Sequence, residues 1–193
     1  QNLAFGLAGP FAGLVADRFG AFRVLVAGGL LYALGPVAMA PAATGFAFMA
    51  GAGILLGTAQ SACTYAVVFG VIARNVAPDK RSWAMGVAAA AGSFGQFLMV
   101  PVETLLIGWV GWQQALLVLA AASLLILPLA LGMRDPAPSG AAPGAAQQSI
   151  FGAIREAMGY RSFQLLMAGY FVCGFQLQFI GVHMPSYLKD KGM

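Results

Sequence analysis

Residues 24–73 read VLVAGGLLYALGPVAMAPAATGFAFMAGAGILLGTAQSACTYAVVFGVIA, without one Asp, Glu, Lys or Arg. A membrane-spanning helix takes about 20 residues, so the run is long enough for two. Pro41-Ala42-Ala43-Thr44-Gly45 is the turn-forming stretch that divides it, giving helices over 24–41 and 46–73. Outward from there the pattern repeats. Between Ser82 and Met133 the only charge is Glu103, and Gly108-Trp109-Val110-Gly111-Trp112 splits the run into helices at 83–107 and 113–133. Its tryptophans suit a membrane interface. An apolar segment at 1–16, closed by Asp17, and another at 163–188 bring the total to about six spans. The fold class is all-α, a polytopic transmembrane helix bundle.

Composition leads to the same place. Only 8% of the 193 residues are charged, against about 25% in an ordinary soluble domain, and 60% are hydrophobic. Charges so sparse would not cover the surface of a water-soluble protein. The 26 glycines suit the close helix contacts of membrane bundles. Basic residues then orient the chain. Arg18 and Arg23 follow the first span, Arg74, Lys80 and Arg81 the third, and Arg134, Arg155 and Arg161 the fifth, while the turns at 42–45 and 108–112 are uncharged. By the positive-inside rule the basic loops are cytoplasmic, although Lys189 and Lys191 on the opposite side run against it. This pattern accounts for the net charge of +4 and requires no nucleic-acid partner. The partners expected are the lipid bilayer and a small-molecule substrate.

Three regions follow: a helix bundle over 1–133, a loop over 134–162 and a final span within 163–193. The loop opens as a flexible linker, Asp135-Pro136-Ala137-Pro138-Ser139-Gly140 through Gly144. Beyond it, Ser149 is placed to cap a short helix with Ile150, Phe151, Ile154 and Met158 on one face, lying on the membrane surface. The missing initiator Met and the first span of only about 16 residues create the expectation of a piece of a larger protein. Cys63 and Cys173 lie inside apolar helices and read as small buried residues. No His/Cys/acid cluster has metal-ligand spacing, and no cofactor is expected.

The turn after the first span carries a motif. Gly13-Leu14-Val15-Ala16-Asp17-Arg18-Phe19-Gly20-Ala21-Phe22-Arg23 resembles the signature loop between helices 2 and 3 of the major facilitator superfamily. Gly13, Asp17, Arg18 and Gly20 match the family pattern. Ala21 and Phe22 stand where two basic residues are usual, and Arg23 comes one place late. The resemblance covers essentially the whole chain. It implies helices 2–6 over 1–133 with helix 1 missing, the loop between the family's two halves at 134–162, and helix 7 at 163–193, the remaining helices lying outside the chain. The stretches 2–13, 170–176 and 183–188 are similar to bacterial members of the monocarboxylate and oxalate–formate porter branch.

The resemblance implies a secondary transporter in a bacterial inner membrane, working by alternating access and needing no cofactor. Its substrate would be a monocarboxylate or related organic anion, with proton coupling one possibility. A multidrug or metabolite exporter is the alternative within the family. A non-transporting receptor or scaffold is the alternative outside it. The motif residues Gly13, Asp17, Arg18, Gly20 and Arg23 would form a conformational latch. Asp17 would meet Arg18, Arg23 or, at longer range, Arg74.

Polar residues within spans mark candidate cavity positions, because lipid makes them costly. Gln60 and Thr64 are one turn apart, as are Ser61 and Tyr65. Ser93, Gln96 and Glu103 share a face, and Gln176 shares one with Phe179 and His183. The family places helices 4, 5 and 7 at its central cavity, which makes Gln60, Thr64, Tyr65, Ser93, Gln96 and Gln176 the cavity set. Glu103 and His183 are the candidates for proton coupling. Against each stands a plain structural use: hydroxyls bonding their own backbone, glutamines tying helices, and titratable groups at wet interfaces. The two Gly-x-x-x-Gly pairs, Gly9/Gly13 and Gly53/Gly57, read as close helix contacts.

Overall fold

A computed structural model describes residues 1–133 and 150–192. The chain forms two compact units, Gln1–Pro143 and Gly144–Met193. The linker at 134–149, with the cap expected at Ser149, lies outside the described residues. Those residues are helical, without a strand among them. Four helical stretches are long and apolar enough to cross a membrane: Ala21–Met39, Gly45–Asn75, Arg81–Leu131 and Arg161–Asp190.

The first unit begins with α1 (Asn2–Phe19) and α2 (Ala21–Met39). Gly20 joins them at φ 89°, a backbone conformation that side-chain-bearing residues avoid, and its N–H donates to the Ala16 carbonyl at 2.9 Å. The expected turn follows α2. Thr44 then caps α3 (Gly45–Met49), its Oγ1 accepting from the Ala47 N–H at 3.3 Å.

The third span is not the continuous helix expected over 46–73. α3 runs into a π-helical segment, Ala50–Leu55, and then α4 (Leu56–Ala62). The helix breaks at Cys63–Thr64, where Thr64 is extended (φ −75°, ψ 164°), and resumes as α5 (Tyr65–Asn75). Hydroxyls compete with the helical ladder along this stretch. Thr58 donates to Ile54 O at 2.8 Å, Ser61 to Thr58 O at 2.7 Å and Thr64 to Ser61 O at 3.3 Å. Such back-bonding bends helices, and Gly28 of α2 leaves room for the distorted corner.

α6 (Arg81–Ser123) and α7 (Ile126–Leu131) complete this unit. Arg81–Leu131 is 51 residues, more than two crossings in length. The division expected at 108–112 is made by one residue, Gly111, at φ 79° and ψ 162°.

α2 is the centre of the packing, meeting α1, α4, α6, α7 and the π-helical segment. It does so through missing side chains. A Cβ on Gly28 would stand 2.7 Å from Ala62 Cβ and 2.8 Å from the Cys63 sulfur. One on Gly35 would stand 2.7 Å from Leu56 Cδ2. One on Gly51, across the contact, would stand 2.8 Å from Met39 Cγ. The core is correspondingly made of small side chains, Ala16, Ala21, Val24, Leu25, Ala62, Val67, Val71 and Ala130.

The two Gly-x-x-x-Gly pairs part company. Gly57 is in tight contact, 2.7 Å from Ala4 Cβ and Gln1 O to its would-be Cβ, and Gly53 is near Gln1. Gly9 and Gly13 have nothing within 4 Å among the described residues, so the close contact expected there has no partner among them.

The second unit holds α8 (Ile150–Met158) and α9 (Arg161–Asp190). The Gln164 amide donates to Met158 O at 2.7 Å across their corner. The short helix expected after the linker is thus α8. No residue of α9 is buried. Cys173, expected in a packed interior, is exposed for that reason, while Cys63 is half-buried beside Gly28.

Candidate functional site

The motif turn has a defined partner. Asp17, in the last turn of α1, forms an ion pair with Arg74, in the last turn of α5, Oδ1 to Nη1 at 3.6 Å. The two residues are far apart in sequence, and the contact brings the loops after the first and third spans to one end of the unit. The longer-range partner expected for Asp17 is therefore the one it meets. Arg18 lies over the Phe19 ring at 5.5 Å, and Arg23 points into solvent-accessible space. Gly20 supplies the left-handed corner that swings α2 back beside α1, whereas Gly13 faces open space.

The pair is a weak one. Asp17 is 75% exposed and Arg74 34%. An exposed pair at that separation contributes roughly 0.2–1 kcal/mol, less as salt rises. Arg74 folds back along its helix, its guanidinium 3.3 Å from where a Gly70 Cβ would stand, so a glycine there keeps its path open.

The polar residues of the third span fall on either side of the helix break. Gln60, half-buried on α4, accepts from the Gln1 amide at 3.3 Å and is hydrogen-bonded to the Tyr32 side chain of α2. Thr64 sits in the break and bonds Ser61 O. The one-turn spacing that paired Gln60 with Thr64 presumed a continuous helix and does not hold across it.

Tyr65 reaches a different neighbour. Its hydroxyl donates to Ala89 O of α6 at 3.3 Å, its ring stacks on Phe69 at 5.4 Å between centroids, and Gly92 makes the space it occupies. Ser93 and Gln96, exposed on α6, flank that contact within about one turn. Sequence reasoning named Tyr65 and missed that a glycine, Gly92, seats it. The signal available was a glycine among alanines opposite an aromatic residue, which fits many pairings equally well.

Glu103 lies further along α6, half-buried; its neighbour Thr104 bonds Val100 O at 2.8 Å. Gln176 and His183 are on α9, in the second unit. His183 packs against Phe179, 4.8 Å between ring centroids, at the end of a row formed by Phe171, Phe175 and Phe179. This four-residue aromatic ladder was not singled out in the sequence, although its spacing of four residues is legible there. No group of three or more metal-ligating side chains occurs among the described residues.

Apolar spans in a helix bundle, a glycine-cornered turn with an acid–arginine pair behind it, and polar residues inside the spans describe a multi-pass membrane protein. The model of the Major Facilitator Superfamily matches residues 1–193, and the chain belongs to that family. The chain is 30% identical over 193 residues to human monocarboxylate transporter 11, covering 96% of this chain and 39% of that protein. It is 29% identical to the mouse monocarboxylate transporter 11, over 96% of this chain and 41% of the other. To bovine monocarboxylate transporter 13 it is 28% identical, with 95% and 42% covered. The chain thus spans about two fifths of the length of the curated relatives it matches.

Proposed function

We propose that this chain contributes to a secondary transporter that carries a monocarboxylate or related organic anion across a cytoplasmic membrane by alternating access. We place that membrane in a bacterium on the resemblance of stretches 2–13, 170–176 and 183–188 to bacterial porters, although the relatives matched are mammalian. The observation that carries the substrate class is the similarity, along nearly the whole chain, to proteins named as monocarboxylate transporters. In this reading the chain supplies helices 2–7 and works with further helices beyond it, since a transporter's binding site lies between repeats.

Asp17 and Arg74 act as the latch. The pair joins the ends of two spans at the basic face, and its small worth lets it open once per cycle. Gln60, Thr64, Tyr65, Ser93, Gln96 and Gln176 line the substrate path. A glutamine amide offers donors and acceptors to a polar substrate without the cost of a buried charge. Glu103 and His183 are the groups through which a proton would be coupled. No Arg or Lys falls at mid-span in this chain, so a cation facing the carboxylate comes from those further helices.

The test is uptake in proteoliposomes containing the longest polypeptide that the gene encodes, against a panel of carboxylates, with and without a pH gradient. Saturable uptake of a short-chain carboxylate, raised by an inside-alkaline gradient, is expected. Transport of hydrophobic cations with no carboxylate uptake would move the protein to the exporter reading. Ligand binding without any flux would move it to a receptor.

A further inference from the structure

At the basic end of the first unit, α1 and α2 enclose a groove of about 430 Å³. Along α1 its wall steps through Phe19, Val15 and Ala12, and along α2 through Arg23, Ala27 and Leu31. At 1.5 Å per residue both walls run roughly 10–12 Å from the basic end toward mid-span. Arg23 is the one charged residue in this lining, and it stands at the basic end. It makes no hydrogen bond or ion pair with any described residue. Arg18 is on the same short turn, over Phe19, and the acid that precedes it, Asp17, is already engaged by Arg74. The amino end of α2 adds to the positive potential there, since its cap Gly20 brings no side chain to its first turn.

We propose that this groove holds one acyl chain of an anionic phospholipid, with the lipid phosphate on Arg23. The apolar walls leave a polar solute nothing to bond beyond the mouth. A lipid has the required form, a thin apolar chain under an anionic head, and membrane proteins recognise such heads through basic pockets between helices. The proposal rests on the membrane location of the chain and not on its transport activity. It gives Arg23 a role of its own, outside the Asp17–Arg74 pair.

The test is native mass spectrometry of the protein purified in mild detergent and titrated with phosphatidylglycerol or phosphatidylethanolamine. Wild type should retain one phosphatidylglycerol in clear preference. Arg23→Gln should weaken that binding by about fivefold and bring the two lipids level, as expected for one arginine near an anionic head. Arg23→Lys should keep the preference. Ala27→Trp, which fills the groove, should remove the bound lipid, and glycerol phosphate, lacking acyl chains, should not compete. Equal retention of both lipids by wild type would overturn the proposal. So would an unchanged preference in Arg23→Gln, undiminished binding in Ala27→Trp, or full competition by glycerol phosphate.

Discussion

α2 and α9 are both long, apolar helices suited to a membrane, and their surroundings could hardly differ more. Eight of the 19 residues of α2 are buried, and none of the 30 in α9. Hydrophobicity does not separate them, because between helices in lipid it supplies no driving force; the tails are as apolar as leucine. What separates them within this chain is their neighbours: α2 is surrounded by the helices of its unit, α9 meets chiefly α8, and their glycines follow that difference. Gly28, Gly29 and Gly35 of α2 each lie against a neighbour that a methyl group would strike or crowd, while Gly169, Gly174 and Gly181 of α9 face open space. Apolar length therefore marks which segments enter the bilayer. Within the first unit, small residues matched to a neighbour mark where the helices pack.

The largest expected effect breaks this comparison directly. Gly28→Leu should destabilise the protein by about 1–3 kcal/mol or more, because the new side chain collides with Ala62 and Cys63 in a packed corner. Gly174→Leu should stay within about 0.5 kcal/mol. Thermal unfolding of both variants in the same detergent measures the difference. Equal losses would mean that α9 is packed as closely as α2, and the contrast would fall.

The same contrast shows how far the sequence could be read. Charged residues cost so much in lipid that they punctuate the spans, and Asp17 and Arg74 were legible from that alone, while the uncharged turn at 41–45 was legible from its proline and glycine. Gly20 was legible as a motif position and Gly111 as part of a breaking stretch. The fracture at Cys63–Thr64 was not. It arises from hydroxyl back-bonds at Thr58, Ser61 and Thr64 acting together with space at Gly28, a residue on another helix. Gly9/Gly13 and Gly53/Gly57 show the same limit. Both pairs permit close approach, but only the arrival of Ala4 and Gln1 at Gly57 turns permission into contact. The seat of Tyr65 on Gly92 depends in turn on which helices lie side by side, and local pattern does not encode that.

A second experiment sharpens the comparison by asking what the exposed helices are exposed to. If Gln176 on α9 and Gln96 on α6 face a water-filled path, each Gln→Ala change should weaken substrate binding by roughly 2–12-fold, the usual worth of one hydrogen bond. Single cysteines placed at positions 60, 64, 96 and 176, in a background of Cys63→Ala and Cys173→Ala, should react with a small water-soluble thiol reagent. Cysteines at positions 117 and 124, apolar sites on the last span of the first unit, should remain unreactive. Silence at all four test positions, in inward- and outward-open conditions alike, would make these glutamines ties between helices and leave α9 facing only lipid.

The smallest expected effect concerns the charges at the helix ends, where α1 and α5 are joined around α2. Asp17 and Asp190 both close an apolar span, but Asp17 has Arg74 at 3.6 Å, whereas Asp190 lies between Lys189 and Lys191. With Asp17 three-quarters exposed, Asp17→Asn should cost no more than about 1 kcal/mol of stability. That ceiling corresponds to a shift of about fivefold in any equilibrium in which the pair is made on one side and broken on the other. In transport assays Asp17→Asn and Arg74→Gln should therefore change the rate of the cycle by a few-fold and leave equilibrium substrate binding nearly unchanged. The double variant should be no worse than either single one, since the interaction is lost only once. High salt should shrink the difference from wild type, because an exposed pair is screened. Asp190→Asn should match wild type in all of these. Lost substrate binding in a folded Asp17→Asn protein with its cycle intact would remove the residue from the latch and place it with the substrate path.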